Sequence, residues 1–64
     1  MFEFSEDEFK TICQKAMLNE ELIKIFEMKI KGYSITKISM ELNMSERTVN
    51  RRIKELKKKI MRVL

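Results

Sequence analysis

The sequence predicts an all-α fold of four helices, in which the last two form a helix-turn-helix and the fourth is extended. Three observations favour this fold class. The 64 residues include no Pro and only one Gly, so sheets joined by tight turns are disfavoured. Apolar residues recur three and four positions apart along most of the chain. Ser and Asn residues, which commonly cap helices, separate these stretches. The length predicts one domain, residues 1–64, with a modest core.

The first helix is expected at about residues 5–17. Ser5 and Glu8 have the spacing of a capping box, which marks a helix start. The apolar stripe that follows has helical spacing and consists of Phe9, Ile12, Cys13, Ala16 and Met17. Phe2 and Phe4 precede the cap, and we expect both rings to fold back onto the helices as apolar anchors.

The second helix is expected at 19–31. Asn19 can cap its start, and Gly32 can end it in a left-handed conformation. Its apolar stripe consists of Leu22, Ile23, Phe26 and Ile30. Ile25 and Met28 fall outside this stripe, so they predict a wider apolar surface than a single helix contact needs.

The third and fourth helices are expected at 34–42 and 45–63. Ser34 and Ser45 stand at the positions of N-caps. Asn43 lies at the bend between the two helices, where we expect a positive φ that Asn tolerates better than most residues. A short helix, a tight turn and a second helix make a helix-turn-helix, whose second helix enters the major groove of DNA.

The fourth helix carries a heptad-like seam. Its apolar residues are separated by four, three, four and three positions: Val49, Ile53, Leu56, Ile60 and Val63. In one interpretation, Ile60 and Val63 cover the first helix and complete the core of a monomer. In the other, which the small size of the chain favours, the end of the helix forms a homodimer. The dimer contact would then comprise Leu56, Ile60, Met61, Val63 and Leu64.

Charge is distributed unevenly along the chain. Residues 1–32 contain seven acids and five bases, a net charge of −2, whereas residues 33–64 contain three acids and nine bases, a net charge of +6. Positive potential is therefore concentrated in the half that contains the helix-turn-helix, as a phosphate-binding surface requires. The alternative is a solvated lysine-rich face that only keeps a small protein soluble.

The helix-turn-helix predicts two sets of DNA contacts. Arg pairs naturally with guanine and Asn with adenine in the major groove. The expected base contacts are Glu46, Arg47, Asn50 and Arg51. The expected backbone contacts are Thr36, Lys37, Ser45, Thr48, Lys54 and Lys58. Glu46 has a second interpretation, because an acid in the first turn also interacts favourably with the helix dipole.

The run from Gly32 to Ile53 resembles the DNA-binding domains of LuxR-type (GerE-type) regulators and region four of bacterial sigma factors. The resemblance is strongest over residues 31–60, and Ser45-x-Arg47-Thr48-Val49 carries most of it. Ser39 stands where Ala is usual and Asn43 where Gly is commonest, and both keep the small or turn-tolerant character that the geometry needs. The resemblance implies a protein that binds DNA sequence-specifically and acts in bacterial or phage transcription. It does not choose between repressor, activator and sigma-like factor.

Two other functions remain open from the sequence. A helix-turn-helix domain can bind an RNA polymerase subunit or another regulator, and the apolar residues Ile25, Met28, Met61 and Leu64 would suit such a contact. It can also be the DNA-binding part of a recombinase or transposase. Double-stranded DNA is the first expected partner, and RNA polymerase and a second copy of the chain are the others.

Enzymatic chemistry finds little support. The chain has no His, and its single Cys13 lies on an apolar stripe, so we expect no catalytic nucleophile, metal site or cofactor. The acids from Glu6 to Glu8 fan around a helix start, where they favour the helix dipole. No apolar run approaches the ~18 residues of a membrane span, and the N-terminal residues are acidic rather than signal-like. A cytoplasmic protein that is not an enzyme is expected.

Overall fold

The computed structural model describes residues 3–64 and contains four α-helices, which confirms the predicted fold class. They are α1 (Glu6–Lys15), α2 (Glu20–Ile30), α3 (Ile35–Leu42) and α4 (Glu46–Val63). The described residues form no strand. Each helix begins one residue after a predicted cap, whose side-chain oxygen accepts a hydrogen bond from the backbone N–H three residues on; the caps are Ser5, Asn19, Ser34 and Ser45. The capping box of Ser5 and Glu8 is also present.

α1 ends two residues earlier than predicted because Met17 is left-handed, with φ +52°. The place of Met17 in the buried stripe of α1 was also predicted wrongly, because its side chain is 85% exposed. The Met17 N–H donates to the carbonyl of Gln14, and the Leu18 N–H donates to that of Cys13. These paired bonds satisfy carbonyls that the helix end would otherwise leave free. α2 ends in the same way at Gly32, whose φ is +88° as predicted. The end of α1 at this point could not be predicted, since Gly rather than Met is the usual residue in a left-handed helix end.

The turn between α3 and α4 has the predicted geometry. Asn43 is left-handed, with φ +53° and ψ +45°, and the Met44 N–H donates to the Ser39 carbonyl over 2.9 Å. Ser39 is buried, and its hydroxyl donates to the carbonyl of Thr36 over 2.7 Å. A small side chain at this point therefore lets α3 and α4 pack closely without leaving a polar atom unsatisfied.

The core lies where α4 packs against α2, α3 and α1. Its buried apolar residues are Ile12, Leu18, Leu22, Ile25, Phe26, Ile38, Val49, Ile53, Leu56 and Ile60. Phe4 and Phe9 both pack edge-on against Phe26, at centroid distances of 5.7 and 4.9 Å. The predicted anchoring of Phe4 is confirmed, whereas Phe2 lies outside the described residues. The expectation for Ile25 was wrong, because its side chain is fully buried.

The seam of α4 belongs largely to this core. Leu56 is fully buried and Ile60 is only 5% exposed, so the single chain covers both side chains. Val63 is partly buried against the same core, while Met61 and Leu64 are exposed. The structure thus removes Leu56 and Ile60 from the predicted dimer contact and favours the interpretation in which the seam completes the monomer.

An ion pair that the sequence did not predict joins α2 to α4. The Arg52 Nε donates to the Glu21 carboxylate, and Arg52 Nη1 lies 3.8 Å from the carboxylate of Glu55. Because all three side chains are about 40% exposed, this pair contributes modestly to stability. None of the helices within residues 3–64 is both long enough and apolar enough to cross a bilayer.

Candidate nucleic-acid interface

The outer face of α4 carries an exposed basic row. Arg47, Arg51, Lys54 and Lys58 follow one another at intervals of four, three and four residues, opposite the buried Val49 and Ile53. At 1.5 Å per residue, the row is about 16 Å long. The major groove of B-DNA is about 12 Å wide, so one end of the row fits between the strands while the other reaches the flanking phosphates.

Asn50 and Glu46 flank this basic row, and both are exposed at the start of α4. The Glu46 carboxylate accepts a hydrogen bond from the Thr36 hydroxyl, with 3.1 Å between Oε2 and Oγ1. It also lies in the first turn, where the helix dipole stabilises an acid. The two interpretations of Glu46 are therefore compatible, since a carboxylate held in place can still face a base edge.

Ser45 and Thr48 form the cap of α4. The Ser45 hydroxyl accepts from the Thr48 N–H over 3.1 Å and donates to the Thr48 hydroxyl over 2.9 Å. These bonds satisfy the first turn and set the direction in which α4 begins. Both residues were also predicted to contact phosphates, and they lie at the N-terminal end of the basic row.

Lys37 lies on α3, the helix that precedes the turn of the helix-turn-helix. Its ammonium group stands 4.5 Å from the ring centroid of Tyr33, in a cation–π contact. Thr36 and Lys37 are exposed, whereas Tyr33 is partly buried. The Tyr33 ring thus holds the Lys37 side chain in place. This role of Tyr33 depends on contact between the two side chains, which the sequence did not indicate.

The basic surface extends further than the sequence-based set. Arg62 lies four residues beyond Lys58 and is exposed, so it continues the row toward the end of α4. Lys59 lies on another side of α4, where it pairs with Glu55 over 3.8 Å. Arg52 is engaged with Glu21, which directs it away from this face. The structure thus separates the cations of α4 into an outward row and a group that pairs within the domain.

Cys13, the single cysteine, lies on α1 and not on this face. Cys13 is half-buried, and its burial, followed by the nearby Glu27 carboxylate, raises the pKa of its thiol. A raised pKa leaves less of the reactive thiolate at neutral pH. Across the described part of the chain, no three His, Cys, Asp or Glu side chains are grouped as metal ligands would be.

Comparison with known proteins identifies one family. The family model described as sigma-70, region 4, matches residues 12–60. The match begins within α1, includes all of α2 and α3, and ends within α4, so it covers about three quarters of the chain. It confirms the sigma-factor part of the resemblance, while the LuxR-type part stays a prediction. No curated protein and no solved structure matches the chain.

Proposed function

The chain belongs to the sigma-70 region 4 family of helix-turn-helix DNA-binding domains, and from this we propose that it is a small transcriptional regulator of bacterial or phage origin. In this proposal it binds double-stranded DNA sequence-specifically, as one domain, and acts in the cytoplasm. The observation that carries the proposal is the exposed basic row of α4, which lies on the helix that enters the groove in a helix-turn-helix.

Base recognition is assigned to the first two turns of α4. Arg47 and Arg51 can each donate two hydrogen bonds to guanine, and Asn50 between them can pair with the N6 and N7 edge of adenine. Glu46 can accept from the exocyclic amine of cytosine. All four side chains are exposed and share one end of the helix, so a single duplex can reach them together.

Contacts to the DNA backbone are assigned to residues around this centre. Lys54 and Lys58 continue the row of α4, and Thr36 and Lys37 approach from α3. The capping residues Ser45 and Thr48 complete the set. Such contacts fix the register and orientation of a protein on the duplex without specifying its sequence. Lys37 is suited to this task because the Tyr33 ring already restricts its position.

A second candidate function is binding to an RNA polymerase subunit or another regulator. The family supports it, since sigma region 4 also acts together with RNA polymerase. The exposed apolar side chains of Met61 and Leu64 favour such a contact. The burial of Ile25 in the core, in contrast, makes the apolar surface of α2 smaller than the sequence suggested.

Fluorescence anisotropy with a labelled duplex of mixed sequence tests the proposal. We expect binding whose affinity falls steeply with salt, since each neutralised phosphate releases a counterion. Lys58→Ala should reduce the slope of log affinity against log salt by about 0.9. Lys10→Ala, at an exposed position of α1 outside the proposed interface, is the matched control and should leave the slope unchanged. Absence of binding at low salt would place the polymerase contact first.

A further inference from the structure

Two shallow grooves lie side by side where the end of α4 meets α1. The first has a volume of about 280 Å³ and is lined by Phe4, Asp7, Glu8, Thr11, Ile12 and Leu64. The second has a volume of about 230 Å³ and is lined by Ala16, Met17, Lys59 and Arg62. Lys15 and Val63 line both grooves and therefore form the ridge between them. We call the two grooves and this ridge the end surface.

At its centre the end surface combines the apolar Val63 and Leu64 with the cation Lys15, and it carries opposite charges on its two sides. Leu64 is 78% exposed and Val63 is only partly buried, so the centre presents apolar side chains to solvent. Asp7 and Glu8 lie on one side, and Lys59 and Arg62 lie on the other. Within residues 3–64, Asp7 and Arg62 form no salt bridge. Their charges are therefore available to a partner.

We propose that the end surface binds a second copy of this chain in a two-fold symmetric dimer. A two-fold axis along the ridge brings the acidic side of each copy onto the basic side of the other, and the long side chain of Lys15 can turn from the axis toward the acids of the first groove. Asp7 then faces Arg62 of the other copy, and the same contact is made twice, with Val63 and Leu64 of the two copies packed between them. A surface that carried charges of only one sign would instead favour a partner of the opposite charge.

This contact differs from the one that the heptad-like seam predicted. Leu56 and Ile60 are buried in the monomer, and Met61 does not line either groove. Of the predicted dimer contact, Val63 and Leu64 remain. Charged residues of α1 also belong to the end surface, and the apolar pattern of α4 alone does not indicate them. Because the surface is small, we expect a dimer that forms at tens of micromolar rather than a permanent one.

The dimer has a consequence for DNA geometry. Asn50 and Val63 are thirteen residues apart on α4, or about 20 Å. The two sets of base-contacting residues therefore lie at most about 40 Å apart plus the distance between the two Val63 residues across the contact. Half-sites one turn apart, about 34–36 Å, fall within this span. Dimerisation itself does not require DNA, so it can be tested independently of the proposed function.

Sedimentation velocity of the chain without DNA, at ten to several hundred micromolar, tests the proposal. The wild type should sediment increasingly as a dimer over this range. Asp7→Lys and Arg62→Glu should each weaken dimerisation at least tenfold, because like charges then meet twice. An equimolar mixture of these two variants should dimerise again, since every contact between unlike copies pairs opposite charges. Recovery in the mixture cannot arise from contacts within one chain.

Matched controls change the same charges outside the grooves. Glu6→Lys lies in the same helical turn as Asp7, and Lys58→Glu lies one turn before Arg62; both residues are exposed. These variants should dimerise within about threefold of the wild type, and circular dichroism should show that all four variants are helical. A monomeric wild type at several hundred micromolar would overturn the proposal. So would a mixture that stays monomeric, or controls that lose dimerisation as fully as the groove variants.

Discussion

The Thr36 hydroxyl donates a hydrogen bond to the Glu46 carboxylate, over 3.1 Å, and so joins the first turn of α3 to the first turn of α4. Both side chains are exposed, and a bond between exposed groups contributes little to the stability of the fold. The bond instead fixes the orientation of the Glu46 side chain, because it holds this acid at the edge of the basic row of α4. Glu46 is therefore placed before any DNA arrives, which reduces the entropy that its ordering would cost on binding.

Replacing Thr36 tests this placement. Thr36→Val should leave the free energy of unfolding within about 0.5 kcal/mol, as is usual for exposed substitutions. The variant should nevertheless distinguish less sharply between a duplex selected from a random library and single-base variants of that duplex. Thr36→Ser keeps the hydroxyl and should retain the discrimination of the wild type. Equal discrimination by the Val and Ser variants would show that Glu46 does not depend on Thr36.

Tyr33 and Lys37 form a second positioning pair. A cation–π contact at an exposed site contributes about 0.5–1 kcal/mol, so Tyr33→Leu should weaken DNA binding by less than Lys37→Ala does. Tyr33→Phe keeps the ring and should bind as the wild type. If the ring acts through the ammonium group, the double variant should bind no more weakly than Lys37→Ala alone. Additive losses in this cycle, measured by anisotropy, would assign Tyr33 an independent role.

The ends of α1 and α2 predict opposite responses to substitution. Gly32 has φ +88°, and a Cβ there would meet nothing within 4 Å. Gly32→Ala should therefore destabilise the domain by about 1–2 kcal/mol through backbone strain alone. Met17 occupies the equivalent position of α1 at φ +52° and is exposed, so Met17→Gly should stabilise the domain by up to ~1 kcal/mol. Urea unfolding at low protein concentration measures both, and a stability of Gly32→Ala equal to the wild type would contradict this account.

Most of the fold could be predicted from the sequence because its signals are local. A cap depends on a backbone N–H only three residues away, so Ser5, Asn19, Ser34 and Ser45 were visible as helix starts. The left-handed Asn43 was predicted for the same reason. The early end of α1 was not, because a Met in this conformation has no sequence signature.

What the sequence missed depends on packing between distant elements. Ile25 falls outside the main stripe of α2, yet its side chain is fully buried in the core. The ion pair between Glu21 and Arg52 joins residues 31 positions apart, and neither side chain indicates its partner. Leu56 and Ile60 fitted both a dimer and a monomer, since periodicity identifies an apolar face but not what covers it. For the same reason, the contact between Tyr33 and Lys37 could not be predicted from the sequence.

Arg51 and Lys58 should differ in what they contribute to binding. Arg51→Ala should weaken binding to a selected duplex by about 1–3 kcal/mol and relax the preference at one base position. Lys58→Ala should weaken binding to all duplexes about equally. Competition experiments with the selected duplex and a shuffled one separate these effects. If Arg51→Ala weakens both duplexes equally, the first turns of α4 contact phosphates and do not recognise bases.

In the proposed complex, the outer face of α4 is the surface that binds DNA. Amide chemical-shift mapping of the isotopically labelled chain during titration with a selected duplex tests it most directly. We expect the largest shifts between residues 45 and 58 and at Thr36 and Lys37, with small shifts across α2. Shifts concentrated in α1 and α2, with the amides of Arg47 to Lys58 unchanged, would contradict it.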